Sequence, residues 1–325
     1  MKKPFNIDVA VLVIFFARKS TLEKVYESIR EARPSKLLLW QDGPRSDKDM
    51  PGIIACRQIF EKIDWECKVY TNYHTENMGC DPSTYRAQKW AFSIVEKCIV
   101  LEDDMVPVQS FYPYCKELLD KYEFDDRINH ICGVNHLGIA DFCPNDYLFS
   151  YYGSGAWASW KRVADGWDSD YSFLNKEYYL RNLNRKFPDL YKHAYEVALR
   201  RKATGFEWWE TILGFGCYLN NRFAIIPRVN MVTNIGVTAE ATHGSSLKLM
   251  NKRVRSLFFM NAQELKFPLR HPEYFVPDYK YMDEVSKINC MGRPYLAFAR
   301  KIEYLFKCII YGEIFNVIKR KLKIK

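Results

Sequence analysis

Cys98-Ile99-Val100-Leu101-Glu102-Asp103-Asp104 decides the fold of this 325-residue chain. Four apolar residues that run straight into three acids read as a short strand buried on both faces, with its carboxyl end left at a surface. The same kind of unit precedes it. Residues 8–16 form a buried strand, and Ser20-Thr21-Leu22-Glu23 is a capping box opening a helix with Leu22, Val25, Tyr26 and Ile29 on one face. Leu37-Leu38-Leu39-Trp40 is a second strand, stopped by the turn Asp42-Gly43-Pro44. A helix over about 53–63, a strand near 67–71 and a helix from Pro82-Ser83 through Val95, with Trp90, Ala91, Ile94 and Val95 inward, lead to the acidic strand. A helix over about 110–122 and a strand near 131–134 follow. This alternation predicts an α/β fold, a mostly parallel sheet flanked by helices.

The composition agrees. With 48% hydrophobic, 27% charged and 16% aromatic residues, the chain has material for a large core and none of the bias of disordered or coiled-coil sequences. The apolar run 9–17 is about half a membrane span, ends at Arg18 and has no small-residue cleavage site behind it, so it reads as a strand and not a signal peptide. Ten cysteines without a C-x-x-C pair read as reduced, mostly buried thiols of a cytoplasmic protein.

The net charge of +9 is concentrated at one end. Residues 300–325 hold eight Lys/Arg against two Glu, interleaved with Ile302, Leu305, Phe306, Ile309 and Ile310. This is a basic amphipathic helix, suited either to an anionic membrane surface or to packing on the body with a solvated, charged end. No aromatic-basic motif suggests a nucleic-acid partner.

Parallel sheets bind ligands at the carboxyl ends of their strands. Three polar signals fall there: Ala17-Arg18, Asp42-Gly43 and the acidic triplet. No G-x-G-x-x-G and no P-loop motif occurs. A carboxylate cluster at such a strand end can hold Mg²⁺ or Mn²⁺. Extended geometry predicts Glu102 and Asp104 on one side and Asp103 on the other. An ordinary acidic surface turn is the plainer reading of three acids, but the apolar strand before them argues for a site.

The segment Ile99-Val100-Leu101-Glu102-Asp103-Asp104-Met105-Val106-Pro107 resembles the nucleotide-sugar motif of GT-A-fold (Rossmann-like) glycosyltransferases, closest to the N-acetylglucosaminyltransferase I group and bacterial family-2-like relatives. Further landmarks come in the family's order. They are the first strand with Arg18 and Ser20, Leu39-Trp40-Gln41-Asp42-Gly43, and Asn77-Met78-Gly79-Cys80. Beyond the acids come Gly155-Ala156-Trp157-Ala158-Ser159-Trp160-Lys161-Arg162, then the run from Pro227 to Gly236, and Ala241-Thr242-His243. The likeness covers residues 8–245; the family's first-strand acid is Ala17 here.

The resemblance implies a metal-dependent transferase acting on a nucleotide diphosphate sugar, UDP-linked, with inversion. It gives Asp42 a contact to the base, Arg18 and Glu102 places near the nucleotide or diphosphate, Asp103 a ribose hydroxyl, and Asp104 the Mn²⁺ or Mg²⁺. His243 is a further candidate at the metal. The base that deprotonates the acceptor lies in Gly205-Phe206-Glu207-Trp208-Trp209-Glu210-Thr211, where Glu210 is preferred to Glu207 by register from Pro227. Trp157, Trp208 and Trp209 are candidates to stack on the acceptor, a glycan or lipid-linked saccharide. The expected organisation is one catalytic domain over 1–265, with a nucleotide-sugar half to about 135 and an acceptor half from about 136, then an extension over 266–325. The protein is expected in the cytoplasm or peripherally on the inner membrane face. A sugar nucleotidyltransferase is the alternative, disfavoured because Phe15-Phe16-Ala17-Arg18-Lys19-Ser20 contains no glycine. A catalytically silent carbohydrate or membrane-surface binding protein is the other, disfavoured by the intact triplet.

Overall fold

The computed structural model describes residues 2–151, 153–237, 248–291 and 293–313. Strands β1 (Ile7–Phe15), β2 (Pro34–Gln41), β3 (Lys68–Tyr73) and β4 (Lys97–Glu102) pair in parallel in the order 3-2-1-4. Helices α1 (Lys19–Ala32), α2 (Met50–Phe60) and α3 (Cys80–Ile94) make the crossovers.

β1 shows why the sheet is covered on both faces. Its side chains alternate, so Val9, Val11, Val13 and Phe15 pack with Leu22, Val25, Tyr26 and Ile29 of α1 and with Cys56, Ile59 and Phe60 of α2. Ala10, Leu12 and Ile14 point the other way and join Ala87, Ala91 and Phe92 of α3. Full burial of one such aliphatic side chain stabilises by about 1.5–3 kcal/mol, and β1 contributes seven residues to the two layers.

After β4 come β5 (Met105–Pro107), α4 (Phe111–Lys121), β6 (Ile128–Cys132), β7 (Tyr147–Ser150), β8 (Trp157–Trp160) and α5 (Lys161–Asp165). The chain continues through α6 (Glu177–Lys186), α7 (Pro188–Thr204), α8 (Trp209–Asn220), β9 (Phe223–Pro227) and β10 (Val232–Asn234). It ends in α9 (Lys252–Arg255), α10 (Tyr279–Asn289) and α11 (Pro294–Ile310), a helical C-terminal region. The large sheet extends from β4 through β8, β6, β9 and β7, with β8 antiparallel to both neighbours and β7 antiparallel to β9. The α/β architecture read from the strand-helix alternation is therefore present, with a parallel half followed by a mixed half.

Two local expectations change. The capping box is not made: α1 starts at Lys19 with Arg18 at its N-cap, and Ser20 lies exposed inside the first turn. Thr21 Oγ1 donates instead to the Arg18 carbonyl oxygen at 3.1 Å. The stretch around residue 265 is a strap across the body. Glu264 accepts from the Gln109 and Ser110 N–H groups at 3.1 and 2.7 Å, at the start of α4. Farther on, Arg270 pairs with Asp146 at 2.8 Å and the Asp278 N–H donates to the Phe149 carbonyl oxygen at 2.8 Å. The expected 266–325 extension thus begins on the edge strand β7 before it becomes helical. All ten cysteines are free, seven of them buried.

Candidate active site

The carboxyl ends of β1, β2 and β4 open on a cavity of about 440 Å³, whose lining includes Phe16, Arg18, Asp42, Asn77, Thr84 and Glu102. The first turns of α2 and α3 border it through Gly52 and Cys80. This is the place where a parallel sheet presents ligand sites.

The acidic triplet leaves the extended path at once. β4 ends at Glu102, and Asp103 and Asp104 form a turn before β5. The expected alternation is lost, because a turn does not send successive side chains to opposite sides. Arg18 binds both aspartates: its guanidinium reaches Asp104 Oδ2 at 2.9 Å and pairs with Asp103 Oδ1 through the same nitrogen, with Nε at 3.4 Å from Asp103 Oδ2. The Phe16 N–H also donates to Asp103 Oδ2, at 3.4 Å. Asp103 is 3% exposed with both oxygens engaged, so it anchors Arg18 at the cavity wall.

Electrostatics show an excess of negative charge. Burial alone would lower the Arg18 pKa, but Asp103 and then Asp104 outweigh it and raise it. Burial pushes the Asp103 carboxyl up to about 6 against the pull of Arg18. Glu102 keeps a partly exposed edge at the cavity, yet burial raises its carboxyl well above the ordinary value, and Asp104, Glu210 and Asp103 push it the same way. One guanidinium serves the three carboxylates of the turn, pairing with Asp103 and Asp104.

That surplus tests the fit of a cation. Among the described residues no three His, Cys, Asp or Glu side chains form a closed metal cage. The donors present are carboxylate oxygens at a strand end open to a cavity. They suit Mg²⁺ or Mn²⁺, which take oxygen ligands and complete their shells with water and phosphate. Asp104 and Glu102 are the residues that fit. His243 lies outside the described residues.

The second half of the chain closes on the triplet through a two-stranded ribbon. β10 pairs antiparallel with β5, and the Ile235 N–H donates to the Asp104 carbonyl oxygen at 2.9 Å. Gly236 then passes so close that an added Cβ would overlap Asp104 Oδ2. The run from Pro227 to Gly236, far away in sequence, thus ends against the acidic turn.

The aromatic-acidic element separates its members. Trp208 is the N-cap of α8, Trp209 its first residue, and Glu210 stands exposed in the first turn. Glu210 acts on the charge of Glu102, whereas Glu207 pairs with Arg86 of α3 at 3.4 Å. Trp157 is 2% exposed and stacks on Trp209 with rings 6.2 Å apart and 12° from parallel, in the core between sheet and helices. The expectation that these two face an acceptor is corrected by their burial, which holds α8 against β8. Trp208 is half-buried, with the Arg201 guanidinium 3.1 Å from its ring centroid and its Nε1 donating to Thr204 Oγ1 at 3.0 Å.

Asp42 lines the same cavity. Its carboxylate accepts from the N–H groups of Gly43, Met78 and Gly79 at 2.9, 3.0 and 3.2 Å, and from Asn77 Nδ2 at 3.0 Å. With its acceptor sites filled by the protein it clamps the 77–79 loop to the end of β2. A Cβ on Gly43 would overlap the Glu76 backbone, so the close approach needs glycine. Arg45 and Lys48, at the cavity mouth, were missed in the sequence, as were Ser83 and Thr84 in the first turn of α3. Their signal was positional: helix starts facing the carboxyl ends of parallel strands.

No protein-family model and no curated protein matches the chain. Glycosyltransferases are among the solved structures it is similar to. One is the galactosyltransferase LgtC in complex with donor and acceptor sugar analogues, at 8% identity over 65% of this chain and 70% of that one, with a TM-score of 0.33. Another is mouse xyloside xylosyltransferase 1 in its apo form, at 12% identity over 66% and 82%, with a TM-score of 0.33. The residues of this site are argued from their own geometry.

Proposed function

We propose that the chain is a metal-dependent, inverting glycosyltransferase that moves a sugar from a UDP-linked donor to a glycan or lipid-linked acceptor. The observation that carries the reading is the Glu102-Asp103-Asp104 turn, tied by Arg18 at the wall of a nucleotide-sized cavity, with Glu210 within electrostatic reach.

The nucleoside occupies the cavity between the end of β1 and the first turns of α2 and α3. Asp104 and Glu102 would hold Mn²⁺ or Mg²⁺, which when bound would supply the charge that lets an anionic diphosphate sit beside acidic residues. Arg18, locked by Asp103, offers a fixed cation on the same side. Glu210 takes the proton from the acceptor hydroxyl as that oxygen attacks the anomeric carbon in line. What supports Glu210 as the base is its place in the first turn of α8, from which it acts electrostatically on Glu102. Of the three tryptophans, Trp208 keeps an exposed edge for an acceptor sugar.

A thermal-shift screen of nucleotide sugars with Mn²⁺ tests the reading. A ligand at a hundred times its Kd stabilises by about 2.7 kcal/mol. A UDP-sugar is expected to stabilise the wild type with Mn²⁺ and not Asp104→Asn. Failure of every nucleotide sugar, or equal stabilisation of both proteins, overturns it.

A further inference from the structure

Helix α11 turns Glu303 and Lys307 toward the body and most of its large apolar residues outward. Glu303 accepts from the Lys252 N–H at 3.1 Å and from the Asn251 side-chain amide. Lys307 donates to the Met250 carbonyl oxygen and to Glu303, both at 2.6 Å. This polar seam attaches the helix to the loop at 250–252, and Cys308 is its one fully buried residue. On the opposite side Tyr295, Phe298, Ile302, Leu305, Phe306 and Ile309 recur at intervals of three and four, the period of one helical face. Each of the six is more than half exposed. At 1.5 Å per residue the stripe from Tyr295 to Ile309 is about 21 Å long.

A face of this kind carries a hydrophobic cost in water, so something other than the described part of the chain completes it. Charge decides between the candidates. Residues 300–325 bear eight basic and two acidic side chains, with Lys301 beside the stripe and Lys319, Arg320, Lys321, Lys323 and Lys325 beyond it. Two copies meeting through this face would bring two such basic segments together, which is repulsive. An anionic lipid surface attracts each of them, and tyrosine and phenylalanine suit the headgroup layer. Among the described residues no helix is long and apolar enough to cross a bilayer, so the stripe would lie in the interface plane.

We propose that the α11 stripe docks the protein on an anionic lipid surface, with the basic residues that follow it as the second attachment signal. This stands independently of the glycosyltransferase reading. The test is co-sedimentation of the full chain with vesicles of 7:3 phosphatidylcholine and phosphatidylglycerol, and with phosphatidylcholine alone. Binding is expected to the mixed vesicles and to weaken with salt. Ile302→Ser with Leu305→Ser should lower the partition coefficient roughly a hundredfold, about tenfold for each apolar side chain no longer buried. Lys319→Gln with Arg320→Gln and Lys321→Gln should lower it on anionic vesicles and remove most of the salt dependence. The stripe variants sit on an exposed face, and an unchanged melting midpoint verifies that they fold. Undiminished vesicle binding by the stripe variant overturns the proposal. So does a wild type that is dimeric and does not bind vesicles, turned monomeric by the same substitutions, since the occupant is then a second copy.

Discussion

Strand β4 and helix α11 bury opposite kinds of residue. β4 hides Cys98, Ile99, Val100 and Leu101 and carries its acids at the end; α11 turns Glu303 and Lys307 into a seam and leaves Ile302, Leu305 and Phe306 outside. The cause is the number of neighbours. β4 has a strand on either side and helices over both faces, whereas α11 is tied by hydrogen bonds to the polar loop at 250–252. Apolar residues go inside only where an apolar surface awaits them. Each place leaves a liability, electrostatic at the strand end and hydrophobic on the helix, and the two should be separable by mutation.

The largest effect should come from the base. Glu210→Gln should lower turnover by about 10²–10⁴-fold with nearly unchanged donor affinity, because the group meets the acceptor. Glu207→Gln loses a part-exposed pair with Arg86, worth up to about 1 kcal/mol, and should cost little in rate. The reverse result moves the base three residues upstream. Neither variant should change vesicle binding; if one does, the two regions are not independent.

Next is the strand end itself. Asp104→Asn should weaken Mn²⁺-dependent donor binding by roughly a hundredfold, read by titration, with little change in melting midpoint. Gly236→Ala should follow it in direction, since its Cβ displaces the Asp104 carboxylate. Gly214→Ala is the control, because a Cβ there meets open space. A Gly236→Ala protein with wild-type metal dependence would detach the ribbon from the site.

Asp42→Asn should act on stability. An amide cannot accept from four N–H groups as the carboxylate does, and leaving buried donors unpaired costs about 1–3 kcal/mol in denaturant unfolding. A large loss of donor affinity with unchanged stability would return Asp42 to the ligand.

The smallest effect concerns His130, 1% exposed on β6. Its Nδ1 faces the Asn129 amide and its Nε2 faces the Gly153 carbonyl oxygen, both at 3.1 Å, which fixes a neutral ring protonated at Nε2. Burial lowers its pKa to about 4. Between that value and about 6.5 the unfolded chain holds the extra proton, so this contribution to stability is lost on acidification through that window. An NMR titration should find the ring neutral at pH 5.5; a charged ring at that pH contradicts the assignment.

The parallel half was legible because burial on both faces demands the uninterrupted apolar strands that periodicity detects, as β1, β2 and β4 show. The place of the triplet at the open end of a buried strand was legible for the same reason: the apolar run stops at Glu102. The partners of those acids were not legible. Arg18 could be placed near the diphosphate, but not read as the residue that takes both oxygens of Asp103. The four N–H donors on Asp42, three of them 35 to 37 residues away, could not be seen along the chain. Trp157 and Trp209 looked like a sugar platform because sequence does not distinguish a ring facing solvent from one facing another ring.

The amino-acid order by itself determined the strand-helix alternation, the place of the acids at a strand end and the apolar period of residues 295–309. These follow from local propensity and from side-chain repeats of two and three to four residues, which a linear pattern contains. Only the tertiary structure decided that β10 and Gly236 close on Asp104, that Glu207 is held by Arg86, and that α11 faces its body with charges. Those outcomes depend on which surfaces meet, a competition among distant segments for burial and for hydrogen-bond partners that no single stretch of the chain encodes.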